Sequence, residues 1–212
     1  MPFNELTSKI LVELSKLRVD GDGYISENEL AARLAIGRPQ LREILAKINT
    51  FGMITKKQKY GIRLRLIDAK SHRIMFDLRE MLEGYVAAHL DGKLTESDFA
   101  ELEFHADMNE RGFQNHNAEM MAFHDLRFHQ ILLDKADMAL ISNIIGQLSL
   151  LELAFIGTNP RYAPKIIRNP YTHKDIIAAL RRSNCEGAEI LRKHIHWIAD
   201  NYDKQQIPED EL

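Results

Sequence analysis

The apolar positions between residues 24 and 63 change from the spacing of two helices to the spacing of a hairpin. The first helix is predicted to begin after Ser26, because Ser26 and Glu29 form a capping-box pattern. After a turn at 35–37, Pro39 stands near the start of a second helix, where its missing N–H costs nothing. The stripes that these helices would bury are Leu30, Ala31 and Leu34, then Leu41, Ile44, Leu45 and Ile48.

A short hairpin is predicted after Gly52, which ends the second helix. Its strands span 53–55 and 62–66, and the second strand alternates inward apolar residues with outward Arg63 and Arg65. The tip between them carries side chains suited to phosphates or a minor groove, namely Lys56, Lys57, Lys59 and Tyr60. Helix, turn, helix and hairpin in this order predict a winged helix-turn-helix, whose second helix enters the major groove of double-stranded DNA.

Arg38, Gln40 and Arg42 lie outside the apolar stripe at the N-terminal end of the second helix, the part of a recognition helix that reaches base edges. The alternative is an ordinary solvated basic face. The distribution of charge favours DNA, because residues 1–70 carry 13 Lys and Arg against 8 Asp and Glu, a net of +5. The chain holds 28 basic and 31 acidic residues in all, so residues 71–212 carry 15 against 23, a net of −8. Only the basic head suits a polyanion.

The run ENELAARLAIGRPQLREIL, followed by FGMI and a glycine-containing wing, resembles the DNA-binding domain of the GntR family of bacterial transcription regulators. Gly37 and Pro39 depart from the family pattern, which has hydroxyl residues there, so the phosphate contacts of those hydroxyls do not carry over. The resemblance implies that DNA is contacted by Arg38 and Arg42, with help from Asn28, Gln40, Tyr60 and Gly61.

From residue 72 onward the apolar spacing is helical to the end of the chain. The predicted helices are 72–91, 95–114, 117–135, 138–156, 173–184 and 186–204, with one long proline-rich connection at 157–171. The predicted fold is therefore mainly α, with a winged helix-turn-helix domain at 1–70, an all-helical antiparallel bundle at 71–206 and an acidic tail at 207–212.

Ionisable side chains interrupt the apolar stripes of three bundle helices. Asp125 and His129 share one face of the third bundle helix, His173 begins a later helix, and His194 lies on an apolar face of the last helix. His196 instead lies with charged residues and is expected to face water. One carboxylate and three imidazoles suit a divalent metal ion such as zinc, nickel or manganese. Spacing alone also allows Asp125 and His129 to pair with each other or with an arginine.

The run HDLRFHQIL, with THKDIIAAL and LRKHIHW downstream, is similar to the effector-binding FCD domain of the FadR-like branch of the GntR family. The resemblance implies that Asp125, His129, His173 and His194 hold a divalent metal ion. The interval from His173 to His194 is one residue shorter than in the family, so His196 is the alternative last ligand.

Arg79 shares an apolar stripe, so its guanidinium is predicted to point inward, where its fork can grip a carboxylate. The resembling domain begins with a similar R-x-x-x-E run, here Arg79 and Glu83, and its effectors are often small organic acids. The alternative is a buried salt bridge between Arg79 and an acidic residue. Arg161 and Arg168 on the long connection are further candidates for closing over a ligand.

Cys185 is the only cysteine, which is typical of a reducing cytoplasm, and no stretch approaches the roughly 18 apolar residues of a membrane span. The predicted function is a cytoplasmic, ligand-responsive transcription regulator that binds operator DNA as a homodimer and a small carboxylate effector near the metal. One alternative is a metal-dependent hydrolase or lyase, although no nucleophile and base pair stands out. The other is a metal-free regulator of the acyl-CoA type.

Overall fold

The computed structural model describes residues 5–20, 23–50, 52–65, 68–158 and 168–204. Within these residues the chain forms nine helices and a two-stranded sheet. The helices are α1 (Glu5–Asp20), α2 (Glu27–Arg33), α3 (Arg38–Asn49), α4 (Ala69–His89), α5 (Glu96–Gln114), α6 (Ala118–Lys135), α7 (Ala139–Thr158), α8 (His173–Arg182) and α9 (Glu186–Lys204). The strands are β1 (Ile54–Lys57) and β2 (Gly61–Leu64). The prediction of a mainly α fold with a small N-terminal hairpin is confirmed. No helix in these ranges is long and apolar enough to cross a membrane.

The chain folds into two compact units, and each includes part of α7. The N-terminal unit contains residues 1–72 and 146–163, and the C-terminal unit contains residues 73–145 and 164–212. Leu151, from the second half of α7, packs against the core of the N-terminal unit. The N-terminal unit is therefore discontinuous in sequence, because residues 146–163 belong to it together with residues 1–72.

The N-terminal unit buries the apolar stripes of α1, α2 and α3 against the hairpin. Ser26 caps α2, and its Oγ accepts the backbone N–H of Glu29 at 3.1 Å. Sequence analysis assigned no element before residue 24, although Ile10 and Leu14 lie one helical turn apart. The large fully buried side chains of this core are Ile10, Leu11, Leu14, Leu30, Leu41, Ile48, Met53, Ile62 and Leu64.

A backbone bridge fixes the hairpin to the loop that leads into α2. Ile25 and Ile62 each donate a backbone N–H to the other's carbonyl oxygen at 2.9 Å. Gly61 lies against this bridge with a φ of +102°, and a Cβ atom there would fall 2.1 Å from the Ile25 carbonyl oxygen. Only glycine fits this position, so Gly61 is the residue that allows the hairpin backbone to approach the backbone of Ile25. The predicted inward position of Leu66 lies outside the described residues.

The C-terminal unit consists of helices whose bounds differ from the predicted ones by at most three residues at either end. Capping boxes begin α5 at Thr95 and Asp98, and α8 at Thr172 and Asp175. Most of the predicted connection at 157–171, and the predicted acidic tail at 207–212, lie outside the described residues. The large side chains at the centre of the unit are Phe76, Val86, Leu102, Phe128, Leu132, Ile176, Leu191 and Ile195.

Asp98 carries a second interaction that makes its cap dependent on pH. Its Oδ2 accepts the backbone N–H of Thr95 at 2.8 Å, and its Oδ1 lies 2.6 Å from Lys135 Nζ. The lysine hydrogen bond, with those from Thr95, lowers the pKa of Asp98 to about 2. Because the unfolded chain has a pKa of about 4, the ionised carboxylate stabilises the fold above pH 4, and this stabilisation is lost as the pH falls towards 2.

We expect Asp98→Asn to lower the free energy of unfolding by about 1–2 kcal/mol at pH 7, measured by urea denaturation. The difference from the parent protein should shrink between pH 4 and pH 2. Asp175→Asn is the matched control, since Asp175 forms the same box and no Lys or Arg contacts it among the described residues. A loss for Asp98→Asn that stays constant down to pH 2 would contradict the role given to the ionised Asp98 carboxylate.

Candidate metal centre

Four ligand-type side chains from α6, α8 and α9 converge in the C-terminal unit. Each offers one ligand atom, and these atoms all lie within 4.8 Å of one another. Oδ1 of Asp125 lies 3.1 Å from Nε2 of His173, 3.7 Å from Nε2 of His194 and 3.9 Å from Nε2 of His129. The structure therefore brings together the four residues that the FCD resemblance implied.

Local helical geometry explains how each side chain reaches the cluster. Asp125 and His129 are four residues apart on α6, so they share one face of that helix. His173 is the first residue of α8, and its position is set by Thr172, whose side chain accepts the N–H of Asp175 as the N-cap. His194 points inward with Leu191 and Ile195, which are fully buried on α9.

Each of the three imidazoles is buried, and each has one ring nitrogen without a hydrogen-bond partner among the described residues. His129, His173 and His194 are 2%, 5% and 3% exposed, and Nε2 of each has no hydrogen-bond partner among the described residues. A buried polar atom without a partner costs roughly 1–3 kcal/mol, so three that face one carboxylate require an explanation. A divalent cation satisfies all three at once, so these residues fit a metal ion.

Hydrogen bonds at the opposite ring nitrogens prepare Nε2 to act as a ligand. Nδ1 of His194 donates to the Tyr171 carbonyl oxygen at 2.7 Å, and Nδ1 of His129 donates to Glu83 Oε2. A neutral imidazole that donates from Nδ1 keeps its lone pair on Nε2. Asn169 Nδ2 also donates to the backbone carbonyl of His194 at 3.0 Å. Sequence analysis missed Tyr171 and Asn169, because a backbone acceptor in an irregular segment leaves no sequence pattern.

Electrostatics favour an ionised Asp125 and a neutral His173, whereas the Glu83 carboxylate outweighs burial and raises the pKa of His129. Desolvation alone would raise the pKa of Asp125, but the neighbouring imidazoles of His173, His194 and His129 outweigh it and hold that pKa well below its ordinary value. Burial lowers the pKa of His173 to about 4, so this imidazole is neutral at pH 7. The side chain of Asp125 is 28% exposed, so it is less buried than the three imidazoles. The cluster thus has one partly exposed ligand and three buried ones.

Glu83 links the cluster to Arg79. Arg79 is 4% exposed, and its Nε donates to Glu83 Oε1 at 2.8 Å, while the other Glu83 oxygen accepts from His129. Burial alone would raise the pKa of Glu83, but the charges of His129 and Arg79 outweigh it and lower the pKa to about 2. The buried salt bridge that sequence analysis weighed for Arg79 is present. The contact of Glu83 with His129 was missed, although an acidic residue on the buried face of α4 was a usable signal.

The remaining candidates of this unit lie apart from the cluster. His196 is 49% exposed, with Nδ1 3.0 Å from Glu80 Oε2, so it faces solvent beside other charged groups. Arg168 Nη2 lies 3.3 Å from Glu110 Oε1 at the surface, and Arg161 lies outside the described residues. His194, rather than His196, therefore joins the other three ligand-type side chains.

The DNA-binding candidates lie in the N-terminal unit. Arg42 Nε donates to Glu27 Oε2 at 2.7 Å, and Lys57 Nζ lies 4.0 Å from the centre of the Tyr60 ring. Lys57 belongs to strand β1 rather than to the hairpin tip, which residues 58–60 form. Sequence analysis missed Tyr24, whose ring lies 4.6 Å from the Arg63 guanidinium carbon. The exposed candidates are Asn28, Arg38, Gln40, Arg42, Lys57 and Tyr60, whereas Gly61 is partly buried.

Comparison with known proteins gives the class of the chain. Residues 74–196, more than half of its length, match the FCD domain. The chain is 27% identical over 203 residues to the uncharacterized HTH-type transcriptional regulator YcbG of Bacillus subtilis, which covers 90% of this chain and 84% of YcbG. It is 23% identical over 180 residues to the HTH-type transcriptional repressor RspR of Escherichia coli K12, covering 84% of this chain and 78% of RspR.

Solved structures share the fold. E. coli McbR/YncC superposes with a TM-score of 0.69 at 18% identity and covers 94% of this chain and 100% of its own. A GntR-type regulator from Rhodococcus sp. RHA1 also gives 0.69, at 15% identity, with 95% and 99% covered. The chain belongs to the FCD family and is a GntR-type transcriptional regulator, not an enzyme. The hydrolase or lyase alternative is therefore wrong.

We expect the purified protein, loaded with zinc, nickel or manganese and then dialysed, to hold about one ion per chain by elemental analysis. Removing the ion with a chelator should lower Tm by about 5–10 °C, because an ion present at a hundred times its Kd stabilises the fold by about 2.7 kcal/mol. His194→Ala should abolish stoichiometric binding, and His196→Ala is the matched control that retains it. Equal metal content in the two variants would exclude His194 as a ligand.

Proposed function

We propose that this regulator binds operator DNA as a homodimer, and that a small organic acid bound at a divalent metal centre changes its affinity for DNA. The observation that carries the ligand-responsive part is the cluster of three unsatisfied imidazole nitrogens around the Asp125 carboxylate. We propose that a metal held by these four side chains keeps positions open for the oxygen atoms of a small ligand. The E. coli relative RspR is named a repressor, and we propose the same mode here.

The DNA-binding half of the proposal is supported by exposure and charge in the N-terminal unit. Arg38 and Arg42 stand on the first turns of α3, where a recognition helix contacts base edges, and both are exposed. Lys57 stacks on Tyr60 in the hairpin, which presents a cation to the phosphate backbone. Asn28, Gln40 and Gly61 complete the proposed surface. The net charge of +5 over residues 1–70 supplies the attraction that is independent of sequence.

The effector half is supported by the cluster and its link to Arg79. Asp125, His129, His173 and His194 would hold the ion, and the bound ion supplies positive charge and open positions for a carboxylate oxygen. Arg79 adds a buried guanidinium that is joined to His129 through Glu83. We propose that this cation contributes to carboxylate binding. A metal-free regulator of the acyl-CoA type would leave the three Nε2 atoms without a function, so it is the weaker candidate.

An apolar stripe on α4 supports the homodimer. Ile74, Leu78, Met81 and Tyr85 follow one another at spacings of four, three and four, and they are 49%, 40%, 68% and 57% exposed. In an antiparallel pair with a two-fold axis between positions 78 and 81, Leu78 faces Met81 of the second copy and Ile74 faces Tyr85. The stripe is thus self-complementary, as a two-fold interface requires. It would form the centre of an interface that needs roughly 800 Å² from each partner.

The recognition surface is tested by fluorescence anisotropy with a duplex selected from a randomised pool. We expect Arg42→Ala to weaken binding to the selected duplex by about tenfold to a hundredfold, since a bidentate base contact is worth about 1–3 kcal/mol. Arg33→Ala is the control, because Arg33 is a surface arginine of α2 engaged with Glu13 and Glu29. Affinity should fall steeply with salt. Absence of any preferred sequence for the parent protein would refute the proposed function.

The same duplex tests the effector half. Sugar acids, hydroxy acids and dicarboxylates are screened by thermal shift on metal-loaded protein, and each acid that stabilises it is added to the binding assay. An effector should change the affinity for the duplex by about fivefold or more, and this change should vanish in His194→Ala. A panel in which no acid changes affinity in the metal-loaded protein would remove the organic-acid proposal while leaving DNA binding intact.

The dimer interface is tested by replacing Met81 with glutamate. We expect Met81→Glu to convert the dimer to a monomer in sedimentation velocity at micromolar concentration, because the change places two carboxylates at the centre of the stripe. Leu140→Glu is the control, since Leu140 is 75% exposed on α7 and lies outside the stripe. A dimer that persists in Met81→Glu would place the interface elsewhere.

A further inference from the structure

Glu27 contacts two cations of the N-terminal unit. It is the first residue of α2, and its Oε2 accepts a hydrogen bond from Arg42 Nε on α3 at 2.7 Å. Its Oε1 lies 4.0 Å from Lys56 Nζ on strand β1. One carboxylate therefore joins the start of α2, the recognition helix and the hairpin. Its side chain is 24% exposed, whereas those of Arg42 and Lys56 are 61% and 62% exposed.

The point of contact on Arg42 determines what the guanidinium can still bind. Glu27 accepts the hydrogen bond of the Nε–H group, and no other contact of this guanidinium is present among the described residues. The two Nη groups therefore keep the donors that form the end of the fork. That end matches the paired acceptors of a guanine edge in the major groove. A side chain already held in one orientation loses less entropy when it binds.

The charge of Glu27 acts in the opposite direction on contacts with phosphates. A carboxylate beside Arg42 and Lys56 offsets part of the positive charge that binding to arbitrary DNA depends on. It also repels any phosphate that approaches this part of the surface. Glu27 therefore weakens binding to every sequence, while the base contact of an oriented Arg42 is gained only at the correct sequence.

We infer that Glu27 is a positioning residue that sets the sequence specificity of this regulator by holding Arg42 for base recognition, while its charge lowers the affinity for DNA of any sequence. The inference rests on the proposed DNA binding and extends it to a residue that does not itself touch a base. An acidic side chain thus has a function in a surface whose other charged candidates, Arg38, Arg42 and Lys57, are cationic.

Glu29 provides a matched control two residues away. It lies in the same first turn of α2, and its Oε1 accepts from Arg33 Nη2 at 2.8 Å instead of from Arg42. Glu29→Gln removes the same charge from the same helix end as Glu27→Gln and leaves the partner of Arg42 in place. The two substitutions thus separate the contact with Arg42 from a general change of charge.

The experiment measures the Kd of the full-length protein for its selected duplex and for a scrambled duplex of equal length at one salt concentration. The specificity ratio is the Kd for the scrambled duplex divided by the Kd for the selected duplex. This ratio is compared among the parent, Glu27→Gln and Glu29→Gln. We expect Glu27→Gln to lower this ratio by about tenfold, with tighter binding to the scrambled duplex, and Glu29→Gln to stay within about twofold of the parent. Circular dichroism melting confirms that each variant is folded.

A double-mutant cycle that combines Glu27→Gln with Arg42→Ala tests whether Glu27 acts through Arg42. In the Arg42→Ala background, Glu27→Gln should leave the ratio unchanged, because no guanidinium remains to be held. An unchanged ratio for Glu27→Gln in the parent background, or an equal loss for Glu29→Gln, would overturn the inference while DNA binding stands. A parent protein that does not distinguish the two duplexes would overturn the proposed function itself, and the inference with it.

Discussion

The C-terminal unit is built around three imidazole nitrogens that are buried beside one carboxylate. Burial of a polar atom without a partner is costly, and His129, His173 and His194 each present one such atom towards Asp125. Ordinary core packing would place leucine or isoleucine at these positions, as it does at Leu132, Ile176 and Leu191 along the same helices.

A second layer of contacts holds the imidazoles in place. Glu83 accepts from His129 and from Arg79, so a charged chain extends from the cluster into α4. The Tyr171 carbonyl fixes His194 from the segment that precedes α8. Such partners determine which ring nitrogen is free and how the ring is turned. Glu83 also compensates the charge of the buried Arg79. Through Glu83, this guanidinium is linked to the proposed ligand site at His129.

The N-terminal unit depends on a different constraint, the close approach of backbone to backbone. The hairpin is held to the loop before α2 by the paired hydrogen bonds of Ile25 and Ile62, and Gly61 permits this because it has no Cβ. Near this bridge, Glu27 connects the start of α2 to α3 and β1. α3 and the hairpin are therefore held by the same few residues. This places the cations proposed to contact DNA on rigid elements rather than on loose loops.

Sequence periodicity determined the fold class and the approximate bounds of the bundle helices, because each helix buries one face. Residues such as Thr95 and Thr172 also mark where α5 and α8 begin. Periodicity did not lead to a prediction of α1, although Ile10 and Leu14 have the spacing of one helical face. Periodicity on α6 also placed Asp125 and His129 on one face. Tertiary structure alone decided that Oδ1 of Asp125 meets Nε2 of His173 and His194, that Glu83 and the Tyr171 carbonyl take the opposite ring nitrogens, and that Glu27 holds Arg42. The reason is physical: a helical repeat records which side of an element faces inward, whereas the identity of the atom it meets there depends on how separate elements pack.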